Sequence, residues 1–217
     1  MDKIEKAYKS VSKAYDKSIT GESLFLRTLE KMTWGFSAKD YSEKLLENIS
    51  NDFSGKILDI PVGTGVLTYE KYLRMNNSEI ICIDYSNDML EIAKSRFKEN
   101  EINNIECKQG DVGNMSYEDE TFDVVLSMNG LHVFPDKEKA FYEINRVLKS
   151  NGSFIGCLYI KGINKKTDWF VNNMYTKIGT VTPPFYTKNE ITNILNKDYK
   201  EVKLWTIKSI MCFNVKK

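Results

Sequence analysis

The sequence predicts an α/β domain: an open, mostly parallel sheet with helices on both faces and an antiparallel strand pair at its C-terminal end. Three observations predict it. From Lys56 onward, short apolar runs alternate with segments of helical period, as in parallel strands linked by crossover helices. The first run, Lys56-Ile57-Leu58-Asp59-Ile60, passes straight into the small-residue turn Pro61-Val62-Gly63-Thr64-Gly65. The last two runs, about Glu201 to Ile207 and Ile210 to Val215, are joined too closely for a parallel crossover and so must pair antiparallel.

Taken in order, residues 1 to about 50 read as helices, because Ile4, Tyr8, Val11 and Tyr15, and later Tyr41, Leu45, Leu46 and Ile49, recur at helical steps. After the glycine turn comes Ile80-Ile81-Cys82-Ile83-Asp84, a strand ending in an acid. Ser86 is an N-cap for a helix carrying Met89, Leu90, Ala93 and Phe97. Another short strand ends in Gly110-Asp111-Val112, and Phe122-Asp123-Val124-Val125-Leu126-Ser127-Met128 forms the next. Asp136 caps a helix carrying Ala140, Ile144, Val147 and Leu148, which Asn151-Gly152 is expected to end before a strand from Ser153 to Ile160. Residues 161–187 break the alternation and hold Trp169, Phe170, Tyr175, Phe185 and Tyr186. Irregular aromatic segments of this kind line or cover sites. Thr187-Lys188-Asn189-Glu190 is a capping box that opens the last helix.

At 217 residues the chain is at the upper end of one domain and can enclose a substantial core. Lys plus Arg number 31 against 30 Asp plus Glu, so no global field favours nucleic acid or anionic lipid. No apolar run reaches the length of a membrane span, and Met1-Asp2-Lys3-Ile4-Glu5-Lys6 has no apolar signal core, so a soluble cytoplasmic monomer or homodimer is expected. Cys82, Cys107, Cys157 and Cys212 lie far apart in apolar or strand-like runs, without a C-x-x-C pair. They are expected as buried reduced thiols that hold no metal.

The glycine turn and Asp84 are the core of a nucleotide-type cofactor site. Gly63 and Gly65 allow a tight turn and close ligand approach, and Asp84 lies 19 residues past Gly65, about where a ribose-binding carboxylate is placed. The ordered set Leu58-Asp59-Ile60-x-x-Gly63-Thr64-Gly65, Asp84-x-Ser86-x-x-Met89-Leu90-x-x-Ala93, Gly110-Asp111, Phe122-Asp123-Val124-Val125 and Leu131-His132-x-x-x-Asp136 resembles class I S-adenosylmethionine-dependent methyltransferases. More narrowly, it is similar to the small-molecule branch that includes ubiquinone and menaquinone C-methyltransferases. The resemblance covers about residues 54–160.

It implies a Rossmann-like seven-stranded sheet and a division of labour: a helical cover over 1–50, a cofactor-binding core over 54–160, a substrate-side insertion over 161–187, and a closing helix and strand pair over 188–217. It also implies S-adenosylmethionine as cofactor, with the Gly63–Gly65 turn and Asp59 at the methionine moiety and Asp84 on the ribose hydroxyls. Tyr85 and Met89 are then either walls of the adenine slot or plain core. Asp111 accepts from the adenine amine, the Val112 N–H donates to the ring, and Met128 and Asn129 sit nearest the methionine ammonium. Pro61 stands where the family's first turn glycine is usual and removes one N–H donor.

Arg27 is either a partner of the methionine carboxylate or a surface charge, and Tyr15 and Tyr8 either close over the cofactor and acceptor or pack as helix core. His132, the one histidine, is either a general base or a residue holding the loop after the fourth strand. Trp169, Phe170, Tyr175, Phe185 and Tyr186 are the substrate-side candidates. A hydride-transferring NAD(P) enzyme shares the glycine turn and Asp84, but has a third glycine where this chain has Thr68. A cofactor-binding protein without turnover is the remaining alternative.

Overall fold

A computed structural model describes Thr28, residues 32–35 and residues 37–217. Strands β1 (Lys56–Asp59), β2 (Glu79–Asp84), β3 (Ile105–Gln109), β4 (Phe122–Met128), β5 (Leu148–Tyr159), β6 (Glu201–Ile207) and β7 (Ile210–Lys216) form one sheet in the order β3-β2-β1-β4-β5-β7-β6. The first five are parallel, and β7 inserts antiparallel between β5 and β6. The strand order reverses between β1 and β4, which opens a crevice at their carboxyl ends.

Alternation along each strand sends side chains to two layers. Ile57, Ile80, Cys82, Val124, Leu126, Ile155 and Cys157 pack in one layer. Helices α1 (Lys39–Leu46) and α3 (Asn87–Glu99) cover it through Tyr41, Leu45 and Leu46 and through Leu90, Ala93 and Phe97. Leu58, Ile81, Ile83, Val125, Phe154 and Phe213 pack in the other layer. There α4 (Lys137–Val147) and α7 (Lys188–Asp198) supply Ala140, Ile144, Val147, Ile191 and Leu195. Covering on both faces explains why the inner strands β1, β2 and β4 read as largely apolar runs, whereas the edge strand β3 does not.

The expected caps form: Ser86 Oγ accepts from the Met89 N–H, Asp136 Oδ1 from the Lys139 N–H, and Thr187 and Glu190 make the capping box. Two expectations are corrected. The helix after Asp136 ends at Val147, because Leu148 turns extended to pair with Phe122. Asn151, at φ +67°, therefore sits with Gly152 in an irregularity inside β5 and does not end a helix. Residues 161–187 are also more regular than expected. A short α2 (Tyr69–Tyr72) follows the glycine turn, while α5 (Lys165–Phe170), a π-helical turn (Val171–Tyr175) and α6 (Thr176–Ile178) run on after β5.

The cysteines are not scattered in space. Strand register makes Cys82 the partner of Cys107 and Cys157 the partner of Cys212, a pairing that sequence separation conceals. Among the described residues there is no group of three or more His, Cys, Asp or Glu placed to hold a metal. No described helix is long and apolar enough to cross a membrane.

Candidate cofactor and acceptor site

The turn after β1 is tied to its neighbours on both sides. The Ile60 N–H donates to the Leu126 carbonyl, the Val62 N–H to the Ile83 carbonyl, and the Gly63 N–H to Asp84 Oδ2 at 2.8 Å. From α3, Arg96 donates to the Thr64 carbonyl. Gly63 and Gly65 have φ of +59° and +70°, the left-handed region that glycine adopts without steric cost. Their surroundings differ. A Cβ on Gly63 would meet nothing within 4 Å, whereas one on Gly65 would lie 2.8 Å from Phe97 Cζ. Open approach therefore belongs to Gly63, and Gly65 is shaped by helix packing. Pro61 packs beneath the loop after β4, its Cδ taking the space where a Cβ on Gly130 would stand.

Two carboxylates flank this turn. Asp84, 7 % exposed, accepts from the Gly63 N–H through one oxygen and from the Ser86 N–H through the other. Burial raises its pKa to about 6 in spite of those donors. Asp59 is fully buried, and Tyr72 donates to its Oδ2 at 2.8 Å. Its Oδ1 makes no hydrogen bond of standard geometry among the described residues, although the Thr68 hydroxyl, likewise unpaired, lies near enough to lower the carboxyl's pKa. Burial pushes this carboxyl up to about 7, with the Asp84 charge a lesser contributor. A buried acid with one unsatisfied oxygen beside an open glycine is suited to a cationic group.

Asp111 lies at the surface after β3 and accepts from the Gly113 N–H at 2.8 Å. Val112 is buried in the second layer. Tyr85 is 43 % exposed at the end of β2, whereas Met89 is buried at 2 % and presents no open wall. Met128 is buried at the end of β4. Asn129 takes φ +60°, its amide donating to the Tyr41 hydroxyl at 2.6 Å and accepting from the Cys157 thiol at 3.4 Å. That side chain ties the loop to α1 and β5.

His132 is 8 % exposed, and its Nδ1 accepts from the Tyr159 N–H at 3.2 Å. The ring proton is thus on Nε2. Burial, with the nearby Lys137 charge, drives its pKa down to about 3. Its carbonyl accepts from the Thr182 N–H, and Lys137, itself 4 % exposed, donates to the Thr182 and Phe134 carbonyls. The loop after β4 is thereby pinned to the segment that precedes Phe185.

Of the substrate-side residues, Tyr175 and Phe185 come together and the others stand apart. Trp34 meets Tyr159 and Tyr175 with ring centroids 5.8 Å apart in each case, and Phe185 meets Tyr159 at 5.4 Å. Trp169 is 59 % exposed, edge-on to Phe170. Tyr186 packs on the opposite layer, because successive residues of an extended chain point to opposite sides. Tyr8, Tyr15 and Arg27 lie outside the described residues.

Sequence reasoning missed Trp34, Tyr41, Lys137 and Tyr159. Tyr159 was within reach, since a tyrosine near the carboxyl end of an apolar strand sits at the site's edge. Its hydroxyl donates to Asp168 at 2.6 Å. The other three carry no local pattern that marks them.

A doubly wound sheet whose first turn holds an open glycine between two buried carboxylates defines a Rossmann-like nucleotide-cofactor protein. Comparison with known proteins narrows the class. A family model described as a methyltransferase domain matches residues 51–198. A demethylmenaquinone methyltransferase of Leptospira interrogans is 30% identical over 183 residues, covering 81% of this chain and 68% of that one. A ubiquinone/menaquinone biosynthesis C-methyltransferase of Idiomarina loihiensis is 31% identical over 132 residues, covering 58% of this chain and 53% of that one. Among solved structures, a methyltransferase of Thermotoga maritima described as a possible histamine N-methyltransferase superposes with a TM-score of 0.70 at 16% identity, covering 97% of this chain and 98% of that one. The chain belongs to the methyltransferase domain family and is an S-adenosylmethionine-dependent methyltransferase.

Proposed function

We propose that the protein moves the methyl group of S-adenosylmethionine to a small, largely apolar or aromatic acceptor of quinone-like chemistry. The observation that carries the cofactor half is the open Gly63 turn beside Asp59, whose buried Oδ1 lacks a partner. A ligand bearing an ammonium and a sulfonium supplies the cation that such a carboxylate fits. Asp84 orders the turn through the Gly63 N–H and keeps further lone pairs for the ribose hydroxyls. Asp111 and the Val112 N–H take the adenine edge, Tyr85 covers its face, and the Met128–Asn129 backbone lies at the methionine end. Met89 supports this slot from beneath.

The acceptor half rests on the aromatic group of Trp34, Tyr159, Tyr175 and Phe185 and on the quinone-type names of the relatives. When bound, the cofactor supplies an electrophilic methyl and a leaving group that departs neutral, so no acid has to assist. The protein's part is to hold the acceptor atom in line and exclude water, and such positioning can contribute roughly 7 to 11 kcal/mol. His132 does not serve as base in this reading: the one lone pair of its neutral ring, on Nδ1, is taken by the Tyr159 N–H, and with a pKa of about 3 the buried imidazole is too weak a base to hold a proton at working pH. It holds the loop instead.

Calorimetry with S-adenosylhomocysteine should show micromolar affinity, about 8 kcal/mol, with NAD far weaker. Incubation with a methyl-labelled donor and reduced naphthoquinones should then label the quinone fraction. Tight NAD binding with no response to S-adenosylhomocysteine would overturn the cofactor half. Label appearing only in polar amines would overturn the acceptor half.

A further inference from the structure

Cys82 and Cys107 face one another across the outer strand pair of the sheet. They are register partners in the parallel β2–β3 ladder, and both point into the layer under α3, Cys82 buried and Cys107 half-buried. Neighbouring strands run about 4.7–4.9 Å apart, within the span of roughly 4.4–6.8 Å between the Cα atoms of a disulfide. Closing the bond requires the two Cβ atoms to approach by about 1 Å. Strand β3 is at the sheet's edge, so no further strand resists that movement.

The two sulfurs are unequal. The Cys82 thiol donating to Cys107, helped by the Lys94 ammonium, holds the Cys107 thiol below its ordinary range against the opposing effects of burial and of the Asp59 and Glu91 carboxylates. Burial pushes the Cys82 thiol well up. One partner is thus reachable and nucleophilic, and the other sits behind it. The Cys157–Cys212 pair is an internal contrast: both are buried, and burial pushes the Cys212 thiol up to about 12.

We propose that Cys107 and Cys82 form a reversible oxidation site, a dithiol that hydrogen peroxide converts to a disulfide with loss of cofactor affinity. The Cys107 thiolate attacks one peroxide oxygen, the O–O bond breaks, and hydroxide leaves while Cys107 becomes a sulfenic acid. Cys82 then gives up its proton and attacks the Cys107 sulfur. The S–O bond breaks, the S–S bond forms, and water departs. Two thiols are oxidised and one peroxide is reduced to two waters.

The effect on affinity rests on the cofactor reading above. Cys82 lies two residues before Asp84 and Cys107 four before Asp111, and the Gly110 N–H donates to the Asp84 carbonyl at 3.0 Å. Drawing β3 toward β2 displaces Asp111 relative to Asp84. A bond closed against that displacement is strained and easily reduced, as a reversible one must be.

The test treats the reduced full chain with hydrogen peroxide, alkylates remaining thiols in denaturant and maps peptides by mass. The expected result is loss of two hydrogens with Cys82 and Cys107 peptides linked, while Cys157 and Cys212 stay alkylatable. The dissociation constant for S-adenosylhomocysteine should rise about fivefold, near 1 kcal/mol, and recover with dithiothreitol. Cys107→Ser should abolish both changes, and Cys82→Ala should leave a Cys107 sulfenic acid that dimedone traps. Oxygen atoms added to Cys107 without a link to Cys82 would overturn the site. A link that leaves affinity unchanged would overturn its effect on the cofactor. If the reduced protein failed to bind S-adenosylhomocysteine, the cofactor reading would fall, while the peptide masses would still decide the dithiol.

Discussion

Replacing Gly63 or Gly65 by alanine should separate ligand approach from helix packing within one turn. Both residues sit at positive φ, so a side chain costs about 1–2 kcal/mol at either position. At Gly65 the new methyl would also stand 2.8 Å from Phe97 Cζ and 3.0 Å from Cε1. Phe97 is 3 % exposed in the layer under α3 and cannot swing away, so overpacking adds about 1–3 kcal/mol. Gly65→Ala should therefore lose about 3 kcal/mol or more, a fall in Tm of roughly 6–12 °C for a chain of this size. Gly63→Ala meets nothing within 4 Å and should lose only about 1.5 kcal/mol, roughly 3–6 °C. Binding should rank the other way. The Gly63 methyl occupies the open side of the turn and should weaken S-adenosylhomocysteine at least tenfold, about 1.4 kcal/mol, whereas Gly65→Ala should stay within about threefold. Thermal unfolding and calorimetry on the two variants decide the matter. Equal destabilisation, or an unchanged dissociation constant for Gly63→Ala, would refute the assignment of open approach to Gly63.

Three further outcomes are expected. Asp84→Asn should weaken S-adenosylhomocysteine by about 1–3 kcal/mol, because an amide sets one N–H against the Gly63 or Ser86 donor; an unaltered affinity in a folded variant would remove Asp84 from the site. Asp59 is held near pKa 7 by burial, and a bound ammonium favours its ionised form, so binding at pH 6.5 should release protons, seen as a buffer-dependent calorimetric heat that Asp59→Asn abolishes. For His132 the folded pKa of about 3 lies below the unfolded value of 6.5, so the native state is penalised only as pH falls below 6.5, by about 1.4 kcal/mol at pH 5.5. His132→Asn should lack that acid-side loss and keep most of its saturated turnover. A hundredfold fall in turnover with loss of an ionisation near neutrality would instead make His132 the base.

Much of the candidate cofactor site was legible in the amino-acid order because its elements are local. An apolar strand running into Gly63-Thr64-Gly65, a second strand ending at Asp84, and the caps at Ser86, Asp136 and Thr187 each draw on residues a few positions apart, where backbone preference and side-chain reach decide the conformation. The glycine turn shows the limit of that legibility. Both glycines were required by backbone angle, but only the arrival of Phe97 from α3 separated the packed one from the open one. Met89 was equally ambiguous, since an apolar residue at helical spacing faces either a slot or a core, and only the fold shows that its side chain is buried.

What tertiary structure alone decided are the properties that depend on partners distant in sequence. The neutral state of His132 follows from burial against Tyr159 and Lys137, and the high pKa of Asp59 from full burial that outweighs the hydrogen bond Tyr72 donates to it. One aromatic group joins Trp34 to Tyr159, Tyr175 and Phe185, and two cysteine pairs arise from strand register. A sequence determines by itself what each segment tends to become, because propensity and capping act over a turn or a strand. Which groups lose water together, and so which carboxyl, imidazole or thiol changes its chemistry, is settled only when the sheet order brings those segments into contact.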